Sequence, residues 1–363
     1  MGFRVATFNC ENLFSRPKVL NFDDNSQAKK PLEKLVKLDQ LLAKLKYTAS
    51  DKKRILELLD ELKEFIVLNE LRNKLIGTKA GQTIVKPDGR GGWVGGIVLK
   101  RDEIPTAAQV STAKVIEAVN ADLQCLVEVE DRLTIEEFST NFFKGNTRYP
   151  YNVVFDGNDS RGIDLGLLSR FPITAIKTHI FDPDGAPKMG RTFSRDCLEV
   201  EVALPGGKPL FLLLNHFKSQ GYGTQASNDA KRKKQADRVA ALLKGYDLKK
   251  DFVVVAGDLN DKPQSAPLAG LLGVSNLVDV IATQIPVASD RWTYHDKSQI
   301  DYLLISKALA SKLTAAGIER RGLFQADKLT QALSTGPVQP FATVTSDTTD
   351  ASDHAAVWAE FQV

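Results

Sequence analysis

The chain has 363 residues, 43% hydrophobic and 26% charged, which suits one large domain or two ordinary ones with a sizeable core. Its 48 Lys plus Arg against 45 Asp plus Glu leave a formal charge of +3, which excludes a chain that attracts polyanions by global charge. Cys10, Cys125 and Cys197 are odd in number and have no metal-type spacing, so a disulfide framework and structural zinc are set aside and the three read as buried thiols.

The opening MGFRVATFNC is already strand-like at Phe3 to Phe8, with no secretory leader ahead of it. No apolar run is long enough to cross a membrane. The expected location is cytoplasmic by default, and secreted or periplasmic if a leader has been trimmed. Leucines at helical spacing from Pro31 to Leu45 predict a helix. A second helix is expected after the capping hydroxyls of Thr48 and Ser50, with Ile55, Leu58, Leu59, Leu62, Phe65 and Ile66 on one face. Together they read as a helical hairpin over about residues 31–76, followed by a Gly-rich ribbon or ordered loop at about 77–96. Val110 to Asn120 reads as a helix. Strands are expected at Leu123 to Val127, Tyr151 to Phe155, Ile163 to Leu168, Cys197 to Ala203, Pro209 to Asn215, Phe252 to Ala256, Ile300 to Ile305 and Ala355 to Phe361. Many short strands with a few helices imply two packed sheets flanked by helices.

Polar residues recur where these apolar strands end: Asn9 and Glu11 in TFNCEN, Glu128 in LVEVED, His216 in LNHFKS, Asp258 and Asn260 in AGDLND, Asp301 in SQIDYLL, and Asp353 and His354 in SDHAAVW. A rigid strand end can present a side chain to a cleft. Singly, each has a plainer reading: a turn, a hydrogen-bonded histidine, a solvated edge. As a set they suit phosphodiester hydrolysis. A hard cation takes oxygen ligands, an imidazole or carboxylate deprotonates water, and a second group protonates the leaving oxygen.

Gly257-Asp258-Leu259-Asn260, Ile300-Asp301-Tyr302 and Ser352-Asp353-His354, in that order behind Asn9 and Glu128, resemble the endonuclease/exonuclease/phosphatase, or DNase I-like, superfamily over residues 3–14 and about 106–363. The resemblance implies a single α/β (α+β) domain over residues 1–363. It would be a four-layer sandwich of two mainly antiparallel sheets flanked by helices, with a helical-hairpin insertion at about 15–105. It implies Mg²⁺ or Mn²⁺, with Ca²⁺ as an accessory ion, held by Glu128, Asn9, Glu11 and Asp353. Asp258 and Asn260 would orient water and the scissile phosphate. His354 would be catalytic with Asp301 as its orienting carboxylate, and Arg195 and Lys218 would meet phosphate.

His216 makes this a two-histidine site, similar to non-specific DNases, secreted bacterial nucleases, sphingomyelinases and inositol-phosphate phosphatases. Register with GLLSR makes Asp164 the expected support of His216. Where several members carry a phosphate-touching tyrosine, this chain has Gly162, with Arg161 beside it as a substitute. NHFKSQGYG resembles secreted nucleases, and Lys231, Arg232, Lys233 and Lys234 are a candidate nucleic-acid patch, with Arg90 and Trp93 as a further contact. The expected substrate is nucleic acid, DNA first and RNA next. A sphingomyelinase or phosphoinositide phosphatase with Trp93 and Val94 as its lipid-facing loop is the alternative, and a non-catalytic binding module a third. Any protein partner of the insertion is unknown.

Overall fold

The computed structural model describes residues 2–13, 15–20, 25–103, 106–159, 161–185, 190–221 and 223–363. Ser160 and Tyr222, inside two of the segments that carry the resemblance, lie outside them. Two compact units emerge: residues 15–103 form one, and residues 1–14 with 104–363 form the other.

The larger unit is built on two six-stranded sheets. In the first the order is Leu313–Glu319, Ala356–Gln362, Gly2–Leu13, Leu123–Val129, Asp164–Ser169, Tyr151–Phe155. In the second it is Ile173–Lys177, Cys197–Ala203, Pro209–His216, Phe252–Asp258, Asp301–Ser306, Leu277–Asp279. Each sheet contains one parallel pair, Gly2–Leu13 with Leu123–Val129 and Pro209–His216 with Phe252–Asp258, and the other pairs are antiparallel.

Side-chain alternation explains the layering. Phe3, Val5, Leu123, Cys125 and Val127 face Leu210, Leu212, Leu214, Val254 and Ala256 in a core between the sheets. The intervening residues face outward. Ala6, Phe8 and Leu126 pack under the helices Thr106–Val119 and Arg132–Phe142 through Val115, Ile116, Ile135 and Phe138. Leu213, Val253, Val255 and Tyr302 pack under the helix Gln225–Leu242 through Ala236 and Val239. The unit is thus helix, sheet, sheet, helix. All three cysteines are buried and unbonded, and burial pushes the Cys125 thiol up to about 12.

The smaller unit is closed by the short strands Ser15–Pro17 and Arg101–Glu103, which pair, and carries the helices Asn25–Leu42 and Ala49–Glu61. Thr48 caps the second: its Oγ1 accepts from Asp51 N at 3.1 Å while Asp51 Oδ2 accepts from Thr48 N at 3.0 Å. The helical reading does not extend to residue 76. Ile66–Arg72 is a strand paired with Val94–Leu99, and Ile76–Lys79 pairs with Gln82–Val85 in a hairpin. The β-branched Ile66 and Val67 favour the strand, and Ile66 continues the apolar spacing only because it seals the same small core. Trp93 belongs to that core at 2% exposure, with Nε1 donating to Tyr47 Oη at 3.1 Å and Arg90 stacked 4.7 Å above the ring. It is therefore neither a nucleic-acid contact nor a lipid-facing tip.

A buried histidine ties the segment after Ile173–Lys177 to the second sheet. His179 Nδ1 lies 2.9 Å from Asp182 Oδ2 and Nε2 lies 2.5 Å from Glu199 Oε1, while Asp196 Oδ1 accepts its backbone N–H at 2.8 Å. Burial opposes its charge, but Glu199 and Asp182 outweigh that and raise its pKa. A raised native pKa stabilises fully below the ordinary histidine value and loses that contribution as pH rises through the native value. Thermal melts from about pH 6 to pH 9 should therefore show the stability advantage of wild type over His179→Gln shrinking with pH. A pH-independent gap would mean that His179 is neutral in the fold.

Candidate functional site

The polar strand ends converge at one edge of the two sheets. Asn9 continues the inward face of Phe3 and Val5, His216 that of Leu212 and Leu214, Asp258 that of Val254 and Ala256, and Asp301 that of Leu303 and Ile305. Register places His216 opposite Asp258 and Asp258 opposite Asp301. All four are 2% exposed or less, among the most buried polar groups in the chain.

Asn9 Nδ2 donates to Asp258 Oδ2 at 3.2 Å and lies 3.4 Å from His354 Nε2. His354 Nδ1 lies 2.9 Å from Asp301 Oδ2, and Thr293 Oγ1 donates to the same oxygen at 2.7 Å. A carboxylate in that position fixes the ring's orientation and its Nδ1–H tautomer. Asp353 Oδ1 is 3.7 Å from His354 Nε2. His216 Nε2 faces two carboxylates, Glu128 Oε1 at 3.6 Å and Asp258 Oδ2 at 3.7 Å. Asn260 donates its backbone N–H and its Nδ2 to Asp258 at 2.7 and 2.9 Å.

Three residues at or next to this cluster have left-handed backbone. Glu11, Glu128 and Asn260 have φ of 50°, 63° and 54°. Asparagine tolerates that region, whereas for glutamate it costs about 1–2 kcal/mol. Such strain survives only where the surroundings impose it. Glu11 N–H donates to Asn9 Oδ1 at 3.1 Å, which fixes the Asn9 amide.

Burial first, then the charges of Asp301 and Glu128, push Asp258 up to about 7 despite His354 nearby. His354 moves the other way from what burial dictates: Asp301, Asp353 and Asp258 carry its pKa well above the ordinary value. His216 is held well below its ordinary value by burial, Arg195 and Arg161, so it stays neutral between its two carboxylates. Ligand atoms of Asp258, Asp301 and His354 lie within 4.8 Å of one another. Asp301 and His354 are bonded to each other, however, and the carboxylates that face His216 Nε2 are Glu128 and Asp258. Buried Asp258 and half-buried Glu128 converging on a neutral imidazole fit a divalent cation.

Arg195 is buried beside this cluster, with Nη1 donating to Phe217 O at 3.1 Å and Nε 2.9 Å from Asp159 Oδ2. Lys218 Nζ donates to Ser219 O and Gly221 O at 3.0 and 2.6 Å, and burial, Arg195, Arg161 and Arg232 bring it down to about 8.

Two expectations change. Asp164 does not support His216: its Oδ1 accepts from Gly157 N–H at 2.7 Å, and His216 Nδ1 is buried without a hydrogen-bond partner among the described residues. The register shift beside it takes up Glu128 as the extra residue of the neighbouring strand, since Asp164 pairs with Val129 and Leu165 with Val127. Arg232 is not a surface cation. Its side chain is wholly buried, with Nε bonded to Asp261 Oδ2 at 3.0 Å and Nη1 to Lys218 O at 3.1 Å. Lys233 and Lys234 are exposed and Lys231 is half-buried, with Lys233 paired to Asp237 at 2.7 Å. Sequence reasoning passed over Thr293 and Tyr294, whose ring packs 4.8 Å from that of His354. WTYH carries no motif, so only the Thr-Asp hydrogen bond reveals them.

A two-sheet α/β sandwich with an Asp–His pair, a second histidine and buried carboxylates at its edge defines a phosphoesterase of DNase I-like fold. A family model described as the endonuclease/exonuclease/phosphatase family matches residues 6–354, and the chain belongs to that family. The chain is 29% identical over 138 residues to the inositol phosphosphingolipid phospholipase C of Saccharomyces cerevisiae, a match covering 37% of this chain and 29% of that protein. It therefore spans less than a third of that relative. Similar solved structures include truncated TDP2 of Caenorhabditis elegans (18% identity, TM-score 0.47, 71% of this chain and 90% of that one). D. rerio TDP2 complexed with a single-strand DNA product is 16% identical, with TM-score 0.48, 71% and 92% covered. Sphingomyelinase C of Streptomyces griseocarneus is 20% identical, with TM-score 0.44, 70% and 92% covered. No described helix is long and apolar enough to cross a membrane.

Proposed function

We propose that the chain is a divalent-metal-dependent nuclease that cleaves phosphodiester bonds in DNA by in-line attack of water. The observation that supports it is the crowding of Arg195, Arg161 and Lys218 beside neutral His216, which suits an anionic chain entering next to the carboxylate cluster. Exposed Lys233 and Lys234 extend the positive charge along the helix Gln225–Leu242. Glu128, with Asn9 and Asp258, would hold Mg²⁺ or Mn²⁺, and Glu11 and Asp353 stand as further carboxylates of the site. The cation supplies charge stabilisation at the phosphoryl oxygens. Asp301 fixes His354, whose raised pKa keeps its ring protonated, so Nε2 gives its proton to the leaving oxygen once water has attacked. Asp258, oriented by Asn9 and Asn260, positions that water, and Asn260 and Arg195 meet the scissile phosphate. Neutral His216 takes the proton of the attacking water.

A second reading is a lipid phosphodiesterase. On one face of the ribbon Ile66–Arg72 with Val94–Leu99, Val67 and Val98 pair across the strands at 50% and 52% exposure, with Leu71 at 72%. Such a face suits an apolar surface, and the yeast relative is named for a lipid substrate. A paired assay separates the two. Supercoiled plasmid and sphingomyelin or phosphoinositide vesicles are offered with Mn²⁺, with EDTA, and to Asp258→Ala. Nicking that EDTA and the substitution both abolish supports the nuclease. Headgroup release without nicking overturns it in favour of the lipid reading.

A further inference from the structure

We propose that the insertion binds the phosphate backbone of nucleic acid through its hairpin Ile76–Lys79 with Gln82–Val85 and the residues that flank it, Arg72, Lys74 and Lys86. This rests on the nuclease reading for its choice of polyanion, and it uses no residue of the cleft. The overall charge of +3 is unevenly divided. Residues 15–103 hold 19 Lys plus Arg against 13 Asp plus Glu, a formal charge of +6, and the other unit carries −3. The helices of the insertion match many of their own cations: Lys34 with Glu61 at 2.9 Å, Lys44 with Asp51 at 2.6 Å, and Arg54 with Glu57 and Glu61 at 2.9 Å. The hairpin does not. From Arg72 to Lys86 the chain has the four cations Arg72, Lys74, Lys79 and Lys86 and no acidic residue. All four are exposed, and none forms an ion pair among the described residues. The acids on either side are engaged: Glu70 Oε1 accepts from Ile76 N–H at 2.9 Å, and Asp88 Oδ1 accepts from Lys52 Nζ at 2.7 Å.

The backbone sets two of these charges on one face. Gly77 pairs with Ile84 and Lys79 with Gln82, so all four share a face, and Lys86 continues it two residues past Ile84. Gly77 leaves room for the lysine. A Cβ there would lie 2.5 Å from Lys86 Cδ and 2.8 Å from Cγ, so the Lys86 stem lies over the glycine on the face that carries Lys79. Ala80 and Gly81 close the tip with φ of 50° and 79°, the sense of twist that a two-residue hairpin turn requires and one that alanine adopts only when held there. Buried Leu75 and Val85 root the hairpin in the small core, and Lys86 N–H donates to Leu75 O at 2.8 Å. Thr78, Gln82 and Thr83 are exposed among the cations, and no exposed large apolar side chain lies between Arg72 and Lys86. A bilayer contact wants an apolar face beneath its charges, whereas a phosphodiester backbone is met by cations interleaved with hydroxyl and amide donors. The hairpin has the second composition.

The test is fluorescence anisotropy of a labelled DNA duplex bound to the full chain in EDTA, where no hydrolysis occurs, across a salt titration. Replacing Arg72, Lys74, Lys79 and Lys86 together by Gln should weaken binding about tenfold or more and flatten the slope of log affinity against log salt by about two or more. Lys79→Gln combined with Lys86→Gln should give about half of that flattening. This pair changes the exposed face alone and carries the test if circular dichroism melts show the fourfold variant to be unfolded. Hydrolysis of bis(p-nitrophenyl) phosphate with Mn²⁺ should stay at the wild-type rate in both variants, since neither alters a residue of the cleft. An affinity and slope unmoved in both variants, or no duplex binding by wild type, overturns the site. So does a loss of binding to phosphatidylserine vesicles with duplex binding unmoved, which would make the hairpin a membrane contact. Plasmid nicking with an unmoved salt slope would sink the site and leave the nuclease. Duplex binding that depends on the four cations, without nicking in Mn²⁺, would sink the nuclease and leave the site.

Discussion

His354→Ala should lower phosphodiester turnover by about 10³–10⁴-fold, and His216→Ala by about 10²–10³-fold, within the usual range of general acid–base catalysis. The difference follows from their surroundings. His354 is bonded through Nδ1 to Asp301, which is itself held by Thr293, so its basicity is built up by three carboxylates around it. His216 has no such partner on Nδ1 among the described residues and is kept neutral by a lowered pKa, so it is the weaker base of the two and contributes less. Steady-state kinetics on the two variants at saturating substrate read this directly. Equal losses, or a larger loss in His216→Ala, would reverse the assignment. Asp301→Asn should reproduce much of the His354 defect with the fold intact, because it leaves the ring without its orienting charge.

Gly257→Ala should destabilise the protein by about 3–5 kcal/mol, at the severe end for single substitutions. Gly257 has φ of 130°, and a Cβ on it would lie 1.9 Å from the backbone oxygen of Asn215. That contact is with the neighbouring strand of the parallel pair, so neither backbone can yield without breaking the ladder that sets His216 opposite Asp258. The expected drop in melting temperature is about 6–20 °C at the scaling found for domains of this size. A melt within 2 °C of wild type, taken as about the shift from a mild surface change, would mean that the strand relaxes around the methyl group. Gly257 thus serves the geometry of the site as closely as the acidic residue that follows it.

Much of this architecture is legible in the chain because the governing signals are local. Apolar runs bounded by turn residues marked the central strands from Leu123 to Phe361 to within a residue or two at most of their ends, and the polar residues closing those strands are the ones that meet in the cleft. The strands Ile173–Lys177 and Leu313–Glu319 escape such reading because they lie at sheet edges and their apolar runs are broken by Ala175 and by Ala315, Ala316 and Gly317, which carry little strand signal. Ile66–Arg72 escapes for the opposite reason: its apolar residues continue a helical spacing that ends only at Glu61.

At the site, the partners of each group are set by tertiary geometry. Asp164 sits at the expected position in sequence, but its carboxylate accepts from the Gly157 N–H, a contact set by the fold and not by the motif. Lys231 to Lys234 look alike in a row, yet on a helix successive residues point in different directions, so Arg232 is driven inward to Asp261 while Lys233 stays in solvent. Glu128 and Asn260 are readable as acid and amide, but not as residues in left-handed backbone, since nothing in VEVED announces it.

The most direct test of the account is the rate at which the purified chain hydrolyses bis(p-nitrophenyl) phosphate as Mn²⁺ is titrated, for wild type and Glu128→Gln. The account predicts a saturable dependence on Mn²⁺ that EDTA abolishes, and a half-saturating concentration raised by about tenfold or more in Glu128→Gln, the scale at which even outer partners of a metal site act. A rate indifferent to EDTA, or a Mn²⁺ dependence unchanged by Glu128→Gln, would contradict it.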